Sequence, residues 1–213
     1  MKKILGIDEA GRGPIIGDLV IAGILIKESE ENLIKEADDS KKLSKYKRKL
    51  LFKIFSKLEH KLIVIPPKEI DEAVESKETN LNWLEANKTA EIINELKPDK
   101  AIIDCPSNNT RAYREYLRKL LINKETELIV ENKSDSSYKI VGAASILAKV
   151  TRDKRIKELE KKYGKIGSGY PSDPITQKFL KENWDRHPEI FRKSWLPYKN
   201  ISSKKFQKGL DEF

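Results

Sequence analysis

Cysteine occurs once in this 213-residue chain and histidine twice. The single thiol, Cys105, has no partner for an internal disulfide, and one cysteine with two histidines cannot build a Cys/His zinc cluster. Any metal the chain uses must be held by oxygen. Long apolar runs are also missing. The most hydrophobic stretch, Ile15 to Ile26, is broken by Gly17, Asp18 and Gly23 and carries no cleavage pattern after it, so neither an export signal nor a membrane span is read. A cytoplasmic protein without a membrane partner is expected. There is no internal repeat and no low-complexity linker.

What is abundant is charge. Lys and Arg number 43 against 34 Asp and Glu, a net +9, and such an excess favours an anionic partner, nucleic acid first among them. Charge alone leaves a solvated basic surface equally open. The length suits one large domain, or one with an appendage, able to bury a core of its own.

Hydrophobic spacing predicts strands over Ile4–Asp8 and Leu19–Ile26, joined by a glycine-rich turn, and a third over Lys61–Ile65, stopped by Pro66 and Pro67. Between the second and third, Leu43, Tyr46, Leu50, Leu51, Ile54, Phe55 and Leu58 follow helical spacing behind Ser44 as cap. From residue 79 the order is helix (Leu81 to Leu96), strand (Ala101 to Asp104), helix (Tyr113 to Leu121), strand (Glu127 to Val130), then one long helix from Tyr138 to about Leu159. That alternation predicts parallel strands covered by helices, and the first three strands an antiparallel meander, so the fold class is α/β with a mixed sheet. A glycine-rich loop, Gly164 to Ser172, precedes a helix capped by Asp173 with Pro174 in its first turn, and a basic tail follows.

Carboxylates at strand ends are the candidate chemistry. Clustered carboxylates can hold divalent ions that neutralise a phosphodiester and activate water. Asp8 and Glu9 follow the first strand, Asp104 closes the fourth, and Asp135 stands after the last. Each alone is more often a turn or cap residue, so only the group has weight. Neighbours on a strand point to opposite faces, so the strand is expected to break at or between Asp8 and Glu9. Gly11 and Gly13 would let the backbone approach a ligand, with Arg12 available for phosphate.

Gly6-Ile7-Asp8-Glu9-Ala10-Gly11-Arg12-Gly13-Pro14, Asp39-Ser40-Lys41-Lys42-Leu43-Ser44, Ile102-Ile103-Asp104 and Ala143-Ala144-Ser145-Ile146-Leu147-Ala148-Lys149-Val150 together resemble type 2 ribonuclease H (ribonuclease HII). Gly167-Ser168-Gly169-Tyr170-Pro171-Ser172-Asp173 resembles the archaeal form. The resemblance runs to about Trp195. It implies a ribonuclease H-like mixed β-sheet flanked by helices, with a catalytic core over 1–165 and a C-terminal helical substrate-binding segment over 166–213 forming the other wall of a nucleic-acid groove. It also implies cleavage 5′ to a ribonucleotide in RNA/DNA hybrids or in DNA duplexes with embedded ribonucleotides, leaving 3′-hydroxyl and 5′-phosphate ends. Two divalent ions, Mg²⁺ or Mn²⁺, would be held by Asp8, Glu9, Asp104 and Asp135.

Asp135 is preferred to Asp153 for the fourth place, because Lys133-Ser134-Asp135 matches the family's Lys-x-Asp setting before the Ala-Ala-Ser-Ile helix. Asp153 reads as a surface ion-pair residue. The resemblance implies that backbone groups of Gly11, Arg12 and Gly13 hydrogen-bond a ribose 2′-hydroxyl, that Tyr170 stacks on the next, deoxy, sugar, and that Lys41 binds phosphate. The helix face with Lys149, Arg152, Lys154 and Arg155 reads chiefly as a solvated surface. Gln207, Leu210 and Phe213 resemble the motif that docks on a sliding clamp, and a self-packed tail is the equal alternative. A monomer is expected. Two rival readings remain: another nuclease on the same sheet, which has no use for the glycine turn and Tyr170, and a non-catalytic RNA-binding protein, which has none for the carboxylates.

Overall fold

In the computed structural model residues 2–37 and 43–210 are described, those from 204 onward by their backbone alone. Lys41, Phe213 and the side chains of Gln207 and Leu210 therefore lie outside the described residues. Two compact units divide the chain, one of Met1–Ala10, Val20–Val64 and Leu81–Thr151, the other of Gly11–Leu19, Ile65–Asn80 and Arg152–Phe213. Ile15 and Ile16 are fully buried among Ile166, Phe179, Phe191 and Tyr198, so an early segment belongs to the C-terminal core.

The first unit is built on five strands, β1 (Lys3–Ala10), β2 (Leu19–Lys27), β3 (Glu59–Ile65), β4 (Lys100–Asp104) and β5 (Glu127–Glu131), in the order β3-β2-β1-β4-β5. β1 pairs antiparallel with β2 and parallel with β4, and β4 parallel with β5. The mixed α/β sheet anticipated from the alternation is what forms. Helices cover both faces: α1 (Lys45–Phe55), α3 (Leu81–Leu96), α4 (Thr110–Leu120), the short α5 (Ser134–Ser137) and the long α6 (Lys139–Tyr163). Asn109 caps α4 by accepting from the Ala112 amide, at 3.0 Å.

Two glycines set how closely the helices approach. A Cβ on Gly6 would stand 2.5 Å from the Ile140 carbonyl group, so α6 lies directly on the β1 backbone. A Cβ on Gly23 would collide with Ile92 of α3. Gly23 is the cross-strand partner of Ile7, and Gly6 of Ile24. Because residues alternate between faces, α6 covers the Gly6 face and α3 the other. β2 is buried on both sides except at Lys27, which is why its sequence runs apolar rather than alternating.

Two local expectations are extended and one, the buried face of α1, is corrected. Pro66 and Pro67 do not merely stop β3: Pro67 occupies the first position of a helix, α2 (Pro67–Glu75), where its fixed φ and missing N–H cost nothing. On α1 the buried residues are Leu51 and Phe55, whereas Tyr46, Leu50 and Ile54 are exposed, so the helical face is narrower than its spacing suggested. The expected single helix from Tyr138 is preceded by a separate turn, α5, that ends at Tyr138.

In the second unit α7 (Pro174–Asn183) starts at Asp173, whose carboxylate accepts from the Ile175 amide, at 2.9 Å. α8 (Leu196–Leu210) follows a short turn at Pro188–Ile190. Asp71 of α2 accepts from the Lys193 and Ser194 amides at 2.8 and 2.9 Å, tying α2 to the chain entering α8. Among the described residues no helix is long and apolar enough to cross a membrane.

Candidate active site

β1 does not break at Asp8 or Glu9. Its pairing with β2 continues through Asp8↔Ala22, Glu9↔Ile21 and Ala10↔Val20. The bend comes one residue later, at Gly11, whose φ of +90° is open to glycine at little cost. Continuing the ladder satisfies backbone groups that an earlier break would have left bare. Asp8 and Glu9 consequently leave the strand on opposite faces.

Asp8 shares the Gly6 face, under α6, where Ser145 hydrogen-bonds its carboxylate. Pairing of β1 with β4 ends at Ile7↔Ile103, so one register step further Asp8 stands beside Asp104 on the same face. Burial and the like charge of Asp104 push the Asp8 carboxyl well above the usual carboxylate range. Glu9 departs on the α3 side, where its charge contributes to raising the Cys105 thiol and the Tyr113 phenol, both elevated chiefly by burial.

Asp104 is anchored from behind. Its Oδ1 accepts from the Ser134 amide at 2.8 Å and from the Ser134 hydroxyl at 3.4 Å. Lys133, just before, takes φ +60°, a left-handed conformation that costs a lysine about 1 kcal/mol and turns the chain so that the Ser134 amide meets Asp104. Asp135, the next residue, is 7% exposed. The Asn132 side chain donates to the Cys105 and Ser107 carbonyls at 2.8 and 2.9 Å and fixes the exit from β4. Sequence reasoning passed over Ser134 and Asn132 because a serine and an asparagine in a turn look like ordinary turn formers.

The donor set is all oxygen, and two adjoining carboxylates, Asp8 buried and Asp104 half-buried, gain from a cation between them, which fits a hard divalent ion. The four carboxylates do not close around one point. Among the described residues no three His, Cys, Asp or Glu side chains stand together closely enough to hold a metal. Mg²⁺ is commonly bound through one or two carboxylates with substrate phosphates completing its shell, and the Asp8–Asp104 pair meets that requirement. Asp153 is not among the buried carboxylates. It pairs with Arg152 at 3.6 Å from a half-exposed position, as a surface ion-pair residue would.

The second unit holds Gly11, Arg12, Gly13 and Tyr170. A Cβ on Gly11 would stand 2.7 Å from the Asp18 carbonyl oxygen, so only glycine fits there. Gly13 is exposed, and a Cβ on it would be in ordinary contact, 3.7 Å, with the Tyr170 ring. The Ile15 and Ile16 amides donate to the Gly169 carbonyl at 2.8 and 3.3 Å. The Gly11–Gly13 turn and the Tyr170 loop are thus one hydrogen-bonded body. Tyr170 is 39% exposed, and the Arg152 guanidinium lies over its ring at 5.2 Å.

Arg152, expected on a solvated face, is buried and donates to the Ser168 carbonyl, while Arg155 of that face pairs with Asp18 at 2.7 Å. Arg192, within what read as a basic tail, is 0% exposed and donates to the carbonyls of Gly11, Arg12 and Gly17. Burial, followed by repulsion from Arg152, lowers its pKa to about 10, so it remains a cation at neutral pH. Nothing in composition separates a buried arginine from a solvated one. Only the tertiary fold reveals it.

Known proteins resemble the chain in sequence and in fold. The family model for Ribonuclease HII matches residues 5–197. The Ribonuclease HII of Methanococcus maripaludis strain C6 is 48% identical, over 94% of this chain and 87% of its own. The crystal structure of ribonuclease H2 from Pyrococcus horikoshii OT3 superposes with a TM-score of 0.85 at 39% identity, covering 95% of this chain and 98% of that one. A PCNA:RNase HII complex from Archaeoglobus fulgidus contains a chain with TM-score 0.82 at 37% identity, covering 92% and 95%. The chain belongs to the ribonuclease HII family and is a ribonuclease H endoribonuclease.

Proposed function

We propose that the protein hydrolyses the phosphodiester on the 5′ side of a ribonucleotide, in RNA/DNA hybrids and in DNA duplexes with embedded ribonucleotides, leaving 3′-hydroxyl and 5′-phosphate ends. The observation that carries this reading is the pair of buried Asp8 and half-buried Asp104 on adjoining strands, with the glycine turn that shares a body with Tyr170 three residues after Asp8. Neither rival, a nuclease indifferent to ribose or a non-catalytic RNA binder, uses both.

Asp8 and Asp104 would hold divalent cation, Mg²⁺ or Mn²⁺, with Asp135 joining them and Glu9, which leaves β1 on the other face, reaching a second ion around the strand end once nucleic acid is bound. Such ions supply neutralisation of phosphate charge and activation of the attacking water. Ser145 and Ser134 keep the two carboxylates aimed, each through a hydrogen bond. The backbone of Gly11 to Gly13 would meet the ribose 2′-hydroxyl, the group that separates RNA from DNA. Tyr170 would lie on the neighbouring deoxyribose, where an additional hydroxyl would be crowded. Removal of misplaced ribonucleotides and of RNA primers are the roles this selectivity serves.

Cleavage of a DNA duplex carrying one ribonucleotide tests the reading. A single cut 5′ to that ribonucleotide, dependent on added divalent ion and absent on the all-DNA duplex, is expected. Equal cutting of both duplexes, or binding without cutting, overturns it.

The tail with Gln207, Leu210 and Phe213 is proposed to dock on a sliding clamp. Support comes from the spacing of these residues and from the Archaeoglobus relative solved with PCNA. Co-elution with an archaeal clamp in gel filtration, lost on deleting residues 207–213, is expected. Independent elution of the intact chain refutes docking.

A further inference from the structure

Arg192 donates four hydrogen bonds, all to backbone carbonyls of a single loop: Nη2 to Gly11 at 2.5 Å and to Gly17 at 3.0 Å, Nη1 to Arg12 at 2.7 Å, and Nε to Gly17 at 3.1 Å. Its own amide donates to Ile15 of the same loop, at 2.8 Å. The Trp195 ring lies 5.1 Å from its guanidinium carbon. A cation fully withdrawn from water is costly, and an apolar side chain of similar volume would fill the space without that cost. What an apolar side chain could not do is hold the carbonyls of Gly11, Arg12 and Gly17 in one plane-directed fork.

The clamped segment needs such a restraint. Glycines at 11, 13 and 17 give the loop large conformational freedom, and Gly11 and Gly17 sit at φ +90° and +84°. With the Gly11, Arg12 and Gly17 carbonyls bound to Arg192, Gly13 stays exposed on the same loop. Arg152 performs the matching task for Tyr170. It lies across one side of that ring, binds the Ser168 carbonyl in the same loop, and runs so close beneath Gly11 that a Cβ there would stand 3.2 Å from its Cγ.

We propose that Arg192 and Arg152 are positioning residues for sugar discrimination, Arg192 setting the Gly11–Gly13 turn and Arg152 the Tyr170 ring, so that the ribose-and-deoxyribose reader is preformed before nucleic acid arrives. Preorganisation of this kind acts by removing the ordering cost of the loop from the binding step. A small misplacement of such a reader is costly to turnover although neither arginine touches substrate. The proposal rests on the ribonucleotide selectivity put forward above.

The test uses full-length protein with Arg192→Lys, Arg192→Gln, Arg152→Lys and Arg152→Gln. Two things are measured: affinity in Ca²⁺ for a duplex with one ribonucleotide against the same duplex in all DNA, and kcat with KM in Mg²⁺ on the former. The expected result is a fall of about tenfold or more in the affinity ratio and up to about a hundredfold in kcat, with affinity for all-DNA duplex little changed and the thermal midpoint still above the assay temperature. Retention of the wild-type ratio and kcat by Arg192→Lys overturns the proposal for Arg192, and the same result for Arg152→Gln overturns it for Arg152. If the Arg192 variants do not fold, hydrogen exchange decides: protection of the Ile15 and Ile16 amides in the free wild-type protein supports a preformed reader, and fast exchange refutes it. A wild type that does not distinguish the two duplexes refutes the functional reading itself, so the two failures are separable.

Discussion

Asp8 stands beside Asp104 across the ends of two parallel strands, and the burial of Asp8 with that like charge beside it holds its carboxyl well above the usual carboxylate range. Such a pair is poorly suited to stability and well suited to binding a cation. Replacing Asp8 with asparagine should lower turnover by at least about a hundredfold. Yet the same change should stabilise the protein in chelator. A carboxyl whose folded pKa is raised contributes stability that is complete below its unfolded pKa, near 4, and lost as pH rises through the raised value. Asn carries no charge at any pH. The thermal midpoint of Asp8→Asn should therefore exceed wild type by a few degrees at pH 7, about 2–4 °C per kcal/mol for this size, and the gap should close toward pH 4. A gap independent of pH would show that charge is not its cause.

Divalent cation should reverse that order. An ion that binds only the folded state raises stability by mass action. Adding Mg²⁺ or Mn²⁺ to wild type at pH 7 should raise its thermal midpoint, and the rise should be largely abolished in Asp8→Asn and in Asp104→Asn. An equal rise in all three proteins would place the bound ion elsewhere.

Asp135 and Asp153 separate a site carboxylate from a surface one. Asp135 is buried next to Ser134, the residue that anchors Asp104, whereas Asp153 is half-exposed beside Arg152. Steady-state kinetics should show Asp135→Asn reduced by about a hundredfold or more and Asp153→Asn within about a factor of three of wild type, in keeping with the small worth of exposed ion pairs. Unchanged kcat in Asp135→Asn would remove it from the site.

Gly11→Ala and Gly6→Ala should fail in different ways. At Gly11 the φ of +90° and the Asp18 carbonyl 2.7 Å away force the turn to move, so the preference for a ribonucleotide should fall along with about 1–3 kcal/mol of stability. At Gly6 the added methyl meets the α6 backbone, 2.5 Å from Ile140, and should cost about 1–3 kcal/mol by overpacking. Denaturant unfolding and the ribonucleotide-to-DNA affinity ratio read the two effects. A normal ratio in Gly11→Ala would mean that the turn does not read the sugar.

Much of the scaffold was legible in the sequence because it depends on local regularities. Leu81–Leu96 carries its own helical spacing and is stopped by Lys97-Pro98, and Ser44 and Asp173 cap helices as short-range hydrogen bonding requires. The strand-helix alternation after residue 79 implied parallel pairing, and β1, β4 and β5 are parallel neighbours. Where the reading slipped, a nonlocal partner had intervened. β1 runs on past Asp8 and Glu9 because β2 offers Ala22, Ile21 and Val20 to pair with. Tyr46, Leu50 and Ile54 share the helical spacing of α1 but have no core to meet.

By itself, then, the sequence determined the element order, the mixed sheet, and which carboxylates and glycines stand at strand ends and turns, since periodicity, caps and motif order are properties of neighbouring residues. Tertiary structure alone decided that Asp8 and Glu9 face opposite sides of an unbroken strand, that Ser134 anchors Asp104, and that Arg152 and Arg192 are buried braces and not surface charges. Each of these depends on groups brought together from distant positions in the chain. Burial and hydrogen bonding follow from what the folded chain places around a residue, and one-dimensional spacing contains no record of that.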